Sequence, residues 1–119
     1  MADYTTVKNA GANFNVVKYT GNTSGQSITG VGFQPDLLWI KARSAGYQWS
    51  VRDVQRGSTV TLRTNSTNAD QTQSDSVTSF DSDGFTLGQD TSSFVNQNGA
   101  TYCSWSWKAG GNASSNSDG

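Results

Sequence analysis

Along this chain apolar side chains recur at every second position in short runs, and nowhere at the three-and-four spacing of an amphipathic helix. The first run, Phe14–Thr20 (FNVVKYT), is rich in β-branched and aromatic residues and stops at Gly21-Asn22, which predicts a strand and a turn. A short alternation at 26–29 follows, and Gly30, Gly32 and Pro35 then break the chain before 36–43 (DLLWIKAR). This is the strongest central-strand candidate: Leu37, Leu38, Trp39 and Ile40 are apolar on both faces, and Lys41 and Arg43 mark where the strand emerges. In 47–53, Tyr47, Trp49 and Val51 alternate with Gln48, Ser50 and Arg52, predicting one dry and one wet face, with the preceding strand as partner. Residues 59–63 form another short strand. Residues 64–76 hold a single alanine as their only apolar member and read as a long surface loop. Two runs, 77–80 and 84–87, flank an Asp81-Ser82-Asp83-Gly84 turn. The last run, 100–107, sets Cys103, Trp105 and Trp107 against Tyr102, Ser104 and Ser106, predicting a closing strand with a heavy inner face. About seven short strands separated by Gly, Asn, Asp and Ser describe an all-β domain, sandwich or barrel.

Composition narrows this picture. With 119 residues the chain suits one domain. Ser, Thr, Asn, Gln and Gly make up just over half of it, so the core is thin, but 4 Trp, 4 Tyr and 5 Phe concentrate large burial units in few positions, and the chain is expected to fold. The expected core is Trp39, Ile40, Phe85, Leu87, Trp105 and Trp107. Its sandwich spans 13–109, between a leader at 1–12 and a Ser/Asn/Gly-rich tail at 110–119 that has too little apolar surface to offset its ordering entropy.

Nine acids, all Asp, balance eight Lys and Arg to a net charge of -1, with no run of like charge, which argues against a nucleic-acid or anionic-membrane surface. No apolar stretch approaches the roughly 20 residues of a membrane span and no signal sequence opens the chain, so synthesis in the cytoplasm and no membrane insertion are expected. His and Glu are absent, which removes the usual general base, the commonest metal ligand and the familiar nucleophile systems. The acids lie almost all in turn contexts that would not raise a carboxyl pKa, so no enzyme and no cofactor is expected. The single Cys103 excludes an internal disulfide and reads as a small buried hydrophobe.

Three groupings could carry a site. Tyr47, Trp49 and Tyr102 could stack on sugar rings, with Asn65, Asn68 and Asp70 as hydrogen-bonding partners; the competing reading puts the chain's indoles in the core. Asp81, Asp83 and Asp90 form a weak calcium candidate, outweighed by a plain hairpin turn because the spacing lacks the bidentate Glu and further ligand of a calcium loop. Arg52, Asp53 and Arg56 predict a buried Arg-carboxylate clamp rather than an anion site. Asp36, after Pro35, reads as a turn acceptor, and the N-x-S/T triplets at Asn22, Asn65 and Asn112 read as chance in so polar a chain.

The segments GFQPDLLWIK at 32–41, SDGFTLG at 82–88 and WKAG at 107–110 resemble those of a domain found repeatedly in structural proteins of tailed bacteriophages, particularly phages of aquatic bacteria. The similarity covers about residues 14–111. It implies a single-domain antiparallel β-sandwich of jelly-roll type, similar to concanavalin A or laminin G domains, carried without enzymatic activity on tail fibres, appendages or capsid surfaces. The function expected from it is capsid decoration or cement on the virion surface; the alternative is a tail-fibre or appendage module that binds host surface carbohydrate. Partners are expected to be other virion proteins or further copies of the chain, with the leader and tail contacting neighbours. A host glycan would be met by the loops at 64–76 and 88–99. Met1 and the leader favour a natural beginning, and residues 111–119 resemble the start of a segment that joins repeats of this domain in longer relatives.

Overall fold

The computed structural model describes residues 9–110. Within them a 3-10 turn at Ala10–Ala12 precedes nine strands: β1 (Phe14–Thr20), β2 (Gln26–Ile28), β3 (Leu37–Ala42), β4 (Ser50–Asp53), β5 (Val60–Thr61), β6 (Gln71–Thr72), β7 (Val77–Asp81), β8 (Gly84–Leu87) and β9 (Thr101–Trp107). The expected leader and tail lie, apart from residues 9–12 and 110, outside the described residues. No helix among the described residues is long and apolar enough to cross a membrane.

Every pairing is antiparallel. One sheet has the order β1-β9-β3-β4 and the other β2-β8-β7; the small β5-β6 ribbon joins the first through a bridge between Val51 and Leu62. The chain passes from the first sheet to the second after β1, returns for β3 and β4, crosses again for β7 and β8, and closes with β9 between β1 and β3. The result is an antiparallel β-sandwich. Its filling comes from Leu38, Ile40, Ala42 and Tyr102 of the first sheet against Ile28, Val77, Phe85 and Leu87 of the second, with Val95 and Ala100 closing one side. Each such aliphatic side chain removed from water contributes about 1.5–3 kcal/mol. Tyr19 stacks on Tyr102 at 5.2 Å between ring centroids and meets Phe85 edge-on at 6.1 Å, so aromatic contact ties the two sheets.

The expected core is half right. Ile40, Phe85 and Leu87 are buried, but Trp39, Trp105 and Trp107 are only half-buried and stand on the outer side of the first sheet. In β9 the inward residues are Tyr102, Ser104 and Ser106, all fully buried, so the heavy face of this strand is the outer one. Small serines let β9 lie close beneath the opposite layer where a second row of indoles would not fit. Cys103 shares the outer face and is half-buried.

At 47–53 both faces of the strand are dry: Val51 is buried as expected, and so are its neighbours of the other parity. Strand β4 begins only at Ser50, and the residues expected to be wet, Ser50 and Arg52, are buried. Arg52 donates from Nε to Ser50 Oγ at 3.1 Å, from one terminal nitrogen to Ser58 O at 2.6 Å and from the other to Gln73 Oε1 at 3.2 Å. Its fork is satisfied by neutral oxygens rather than by the expected carboxylate; Asp53 pairs instead with Arg56. Segment 88–99, expected as a variable surface loop, is pinned from within. Asp90 is buried and accepts from Val95 N at 2.6 Å and Asn96 N at 2.8 Å, and buried Asn96 donates to Gly88 O at 2.7 Å while accepting from Asn22 N at 3.0 Å.

Candidate functional site

Because side chains alternate across a sheet, the register of the first sheet dictates what its outer face displays. One row across it runs Phe14, Trp107, Leu37, Asp53; the next runs Val16, Trp105, Trp39, Val51; a third sets Lys18 and Lys41 on either side of Cys103. Trp49, just before β4, completes the group. Its ring lies 5.6 Å from Trp39, which in turn meets Trp105 at 6.4 Å, while Phe14 packs on Trp107 at 5.1 Å. Between Trp39, Lys41, Trp49, Trp105 and Trp107 lies a depression of about 410 Å³. Phe14 and Val16, at 39% and 42% exposure, extend the apolar surface to the β1 edge.

A solvent-facing sheet surface is ordinarily polar, and the second sheet obeys that rule: its outer row Ser27, Thr86 and Ser79 is knit by hydroxyl hydrogen bonds and by Asp81. The first sheet breaks it with all four tryptophans of the chain. A contiguous aromatic surface of this kind makes this face the candidate contact site. The indoles are built to hold position: Trp39 and Trp105 sit on central strands, and Trp49 is oriented by its backbone N–H donating to Asn65 Oδ1 at 3.2 Å. Trp39 Nε1 is buried without a partner among protein atoms.

Charge gathers at one end of this face. Lys41 Nζ stands 6.0 Å from the Trp49 ring centroid and donates to Ala42 O at 2.7 Å. Lys18 and Arg43 are exposed. Burial pushes the Cys103 thiol up from its usual range, against the opposing pull of the nearby Arg43 and Lys18 charges.

Of the expected sugar contacts, only Trp49 lies in the depression, with Asn65 as its positioning partner. Tyr102 is fully buried and cannot stack on a ligand: its hydroxyl donates to Ser93 O at 3.3 Å and accepts from Gln97 N at 3.0 Å, and burial pushes its phenol up to about 12. Tyr47 packs against the core, and Asn68 and Asp70 are exposed on the 64–76 loop. Trp39, Trp105, Trp107 and Lys41 were not expected there. A signal for them existed, since Trp39, Lys41 and Arg43 share one parity along 36–43, and charges mark the solvent side.

The calcium candidates are spent separately. Asp81 accepts from Ser79 and Thr86 hydroxyls, Asp83 from the backbone of Gly30 and Gly32, and Asp90 from Ser76, Val95 and Asn96. Among the described residues no three acidic or cysteine side chains are grouped so as to hold a metal ion.

Residues 9–119 match a family model described as Domain of unknown function (DUF7483). The chain belongs to this family. No curated protein and no solved structure matches it. In this DUF7483 chain the three segments 32–41, 82–88 and 107–110 converge at one end of the sandwich. Asp83 accepts from Gly30 N at 3.0 Å and Gly32 N at 2.6 Å, Asp36 N donates to Trp107 O at 2.9 Å, and Ala109 N donates to Asp36 Oδ2 at 2.7 Å. Both acids therefore clamp loops to strands, and the tryptophans of the same segments face outward.

Proposed function

We propose that this DUF7483 chain is a non-enzymatic structural protein of a tailed-bacteriophage particle, displayed on the virion surface as a capsid-decoration module that works by contact alone. The observation that carries the contact function is the outer face of the β1-β9-β3-β4 sheet, where four indoles stand at the surface although the opposite sheet shows that this chain can make a polar exterior. The employment of the carboxylates supports the absence of chemistry: Asp36, Asp53, Asp75, Asp81, Asp83 and Asp90 each accept hydrogen bonds that hold turns or strands in place. The virion assignment rests on the resemblance of segments 32–41, 82–88 and 107–110 to those of phage structural domains. A second reading, a tail-fibre or appendage module that touches host glycan, is favoured by the open depression beside Trp49, where rings face solvent.

Mass spectrometry of purified particles from the phage that encodes the chain, followed by antibody labelling in the electron microscope, tests the proposal. The expected result is the chain in many copies per particle with label on the head surface. Label on fibres would shift the assignment to the second reading. Particles lacking the chain would overturn both.

A further inference from the structure

The ligand chemistry of the tryptophan face can be narrowed, an inference that rests on the contact function proposed above. Strands β9 and β3, which form the floor of the depression, are each paired on both edges. Neither offers a row of free backbone N–H and C=O groups, so an extended peptide cannot add to the sheet there. Whatever binds is read by ring faces and by the cationic heads beside them. Flat indole surfaces complement the C–H face of a pyranose, which is apolar and of similar width.

The cations decide the rest. Lys18 and Lys41 flank Cys103, and Arg43, one residue beyond the end of β3, lies near enough to act on the same thiol. Among the described residues none of the three has an ion-pair partner, and the acid at the far end of the face, Asp53, is already paired with Arg56. In a chain of net charge -1 this positive end is a local feature. A neutral sugar would leave it unused. A second copy laid on the same face would bring three more cations onto the interface. A nucleic-acid strand calls for cations tracking a phosphate backbone, whereas these are confined to one end.

We infer that the face formed by Trp39, Trp49, Trp105 and Trp107 binds an acidic saccharide, with pyranose rings stacked on the indoles and a sugar carboxylate held by Lys18, Lys41 and Arg43. Asn65 acts here as a positioning residue, through the backbone of Trp49.

The purified full chain, titrated with an oligosaccharide of alternating glucuronate and N-acetylglucosamine, tests this by tryptophan fluorescence and calorimetry. Oligosaccharides of N-acetylglucosamine alone and an oligothymidylate serve as comparators. The acidic oligosaccharide is expected to change the fluorescence and to bind at least about tenfold more tightly than the neutral one, with affinity falling as salt screens the carboxylate contact. Trp49→Ala should weaken binding roughly tenfold, as loss of an aromatic anchor does. The Lys18→Gln/Arg43→Gln double variant, at two exposed positions, should lower affinity for the acidic ligand toward that for the neutral one, and it carries the test if Trp49→Ala fails to fold. Equal binding of the neutral oligosaccharide, stronger binding of the oligothymidylate, no binding of any, or self-association abolished by Trp49→Ala would each overturn the inference. Presence in particles without glycan binding would sink this inference alone, and absence from particles would sink the display function whether or not a glycan binds.

Discussion

At the scale of single residues, polar groups share this interior with apolar ones. Arg52 lies fully buried with its fork spread over Ser50, Ser58 and Gln73, joining β4 to the following loop and to the end of the β5-β6 ribbon. Burial lowers its pKa to about 10, although Asp90 and Asp75 oppose that shift. A lysine has a single head and cannot donate along three directions from one plane. Arg52→Lys is therefore expected to cost about 2–3 kcal/mol in urea denaturation through the acceptors it abandons. The tryptophans call for a different magnitude. Trp105 is half-buried on the outer face, so Trp105→Ala should cost about 1–2 kcal/mol, well short of the value for a filled core. Leu38→Ala, at a fully buried position, should cost about 2–5 kcal/mol in the same measurement. Equal losses would mean that the indole face is covered in the isolated chain.

At the scale of elements, the β7-β8 hairpin is the joint that holds β2 and the loop that follows it. Gly84 follows its two-residue turn at φ 155°, and a Cβ there would stand 1.9 Å from the carbonyl oxygen of Ile28 in β2. Neither the backbone angle nor the space admits a side chain. Gly84→Ala should open the β2-β8 pairing and lower stability by more than about 2 kcal/mol, visible as a lost plateau in thermal unfolding. The turn residue before it, Asp83, holds segment 30–32 through two backbone N–H groups, and these keep its carboxyl below the usual range. Asp75 is held low in the same way, chiefly by the Thr91 hydroxyl and N–H. A carboxyl with a lowered pKa in the fold contributes stability above its unfolded pKa and loses it as pH falls through the folded one. The melting temperature should accordingly drop on acidification from about pH 5 toward pH 2, and Asp83→Asn should flatten part of that slope in calorimetry.

At the scale of the whole molecule, the two layers differ in kind: one exterior is a hydroxyl mesh, the other an aromatic and cationic face. Between them, Tyr19, stacked on its cross-strand neighbour Tyr102 within the first sheet, bridges to Phe85 of the second, and it donates to Val95 O at 2.8 Å. Burial raises Tyr19 well above the usual phenol range and pushes Tyr102 up to about 12. A phenol raised in the fold favours its neutral form there, so its contribution is complete below the unfolded pKa and disappears as pH climbs through the folded one. Spectrophotometric titration should leave both tyrosines silent at pH 10, and the sandwich should come apart cooperatively at higher pH as they ionise together. Gradual ionisation of both near pH 10 in an intact fold would show that the bridge is not sealed from solvent.

The sequence by itself determined most of the strands and their punctuation, though β6 falls within 64–76, where the run of polar residues reads as a loop. Alternation in 14–20, 36–43 and 100–107, with the Asp81 to Gly84 turn, predicts the main elements and the all-β class, because a two-residue period and turn chemistry are local properties. It also determined which side chains travel together, placing Cys103, Trp105 and Trp107 on one side of the last strand. What alternation cannot carry is sign. A strand presents two faces, and which one is dry depends on the layer that packs against it, residues away in sequence. Trp105 and Ser106 exchange roles if that layer sits on the other side, and bulk is a poor guide because an indole serves equally as core filling or as a contact surface. Arg52 and Tyr102 show the same lesson from within. Only the folded course of the chain, by bringing back Ser58, Gln73 and Ser93 from the adjoining loops and the ribbon, makes their polar atoms fit to bury.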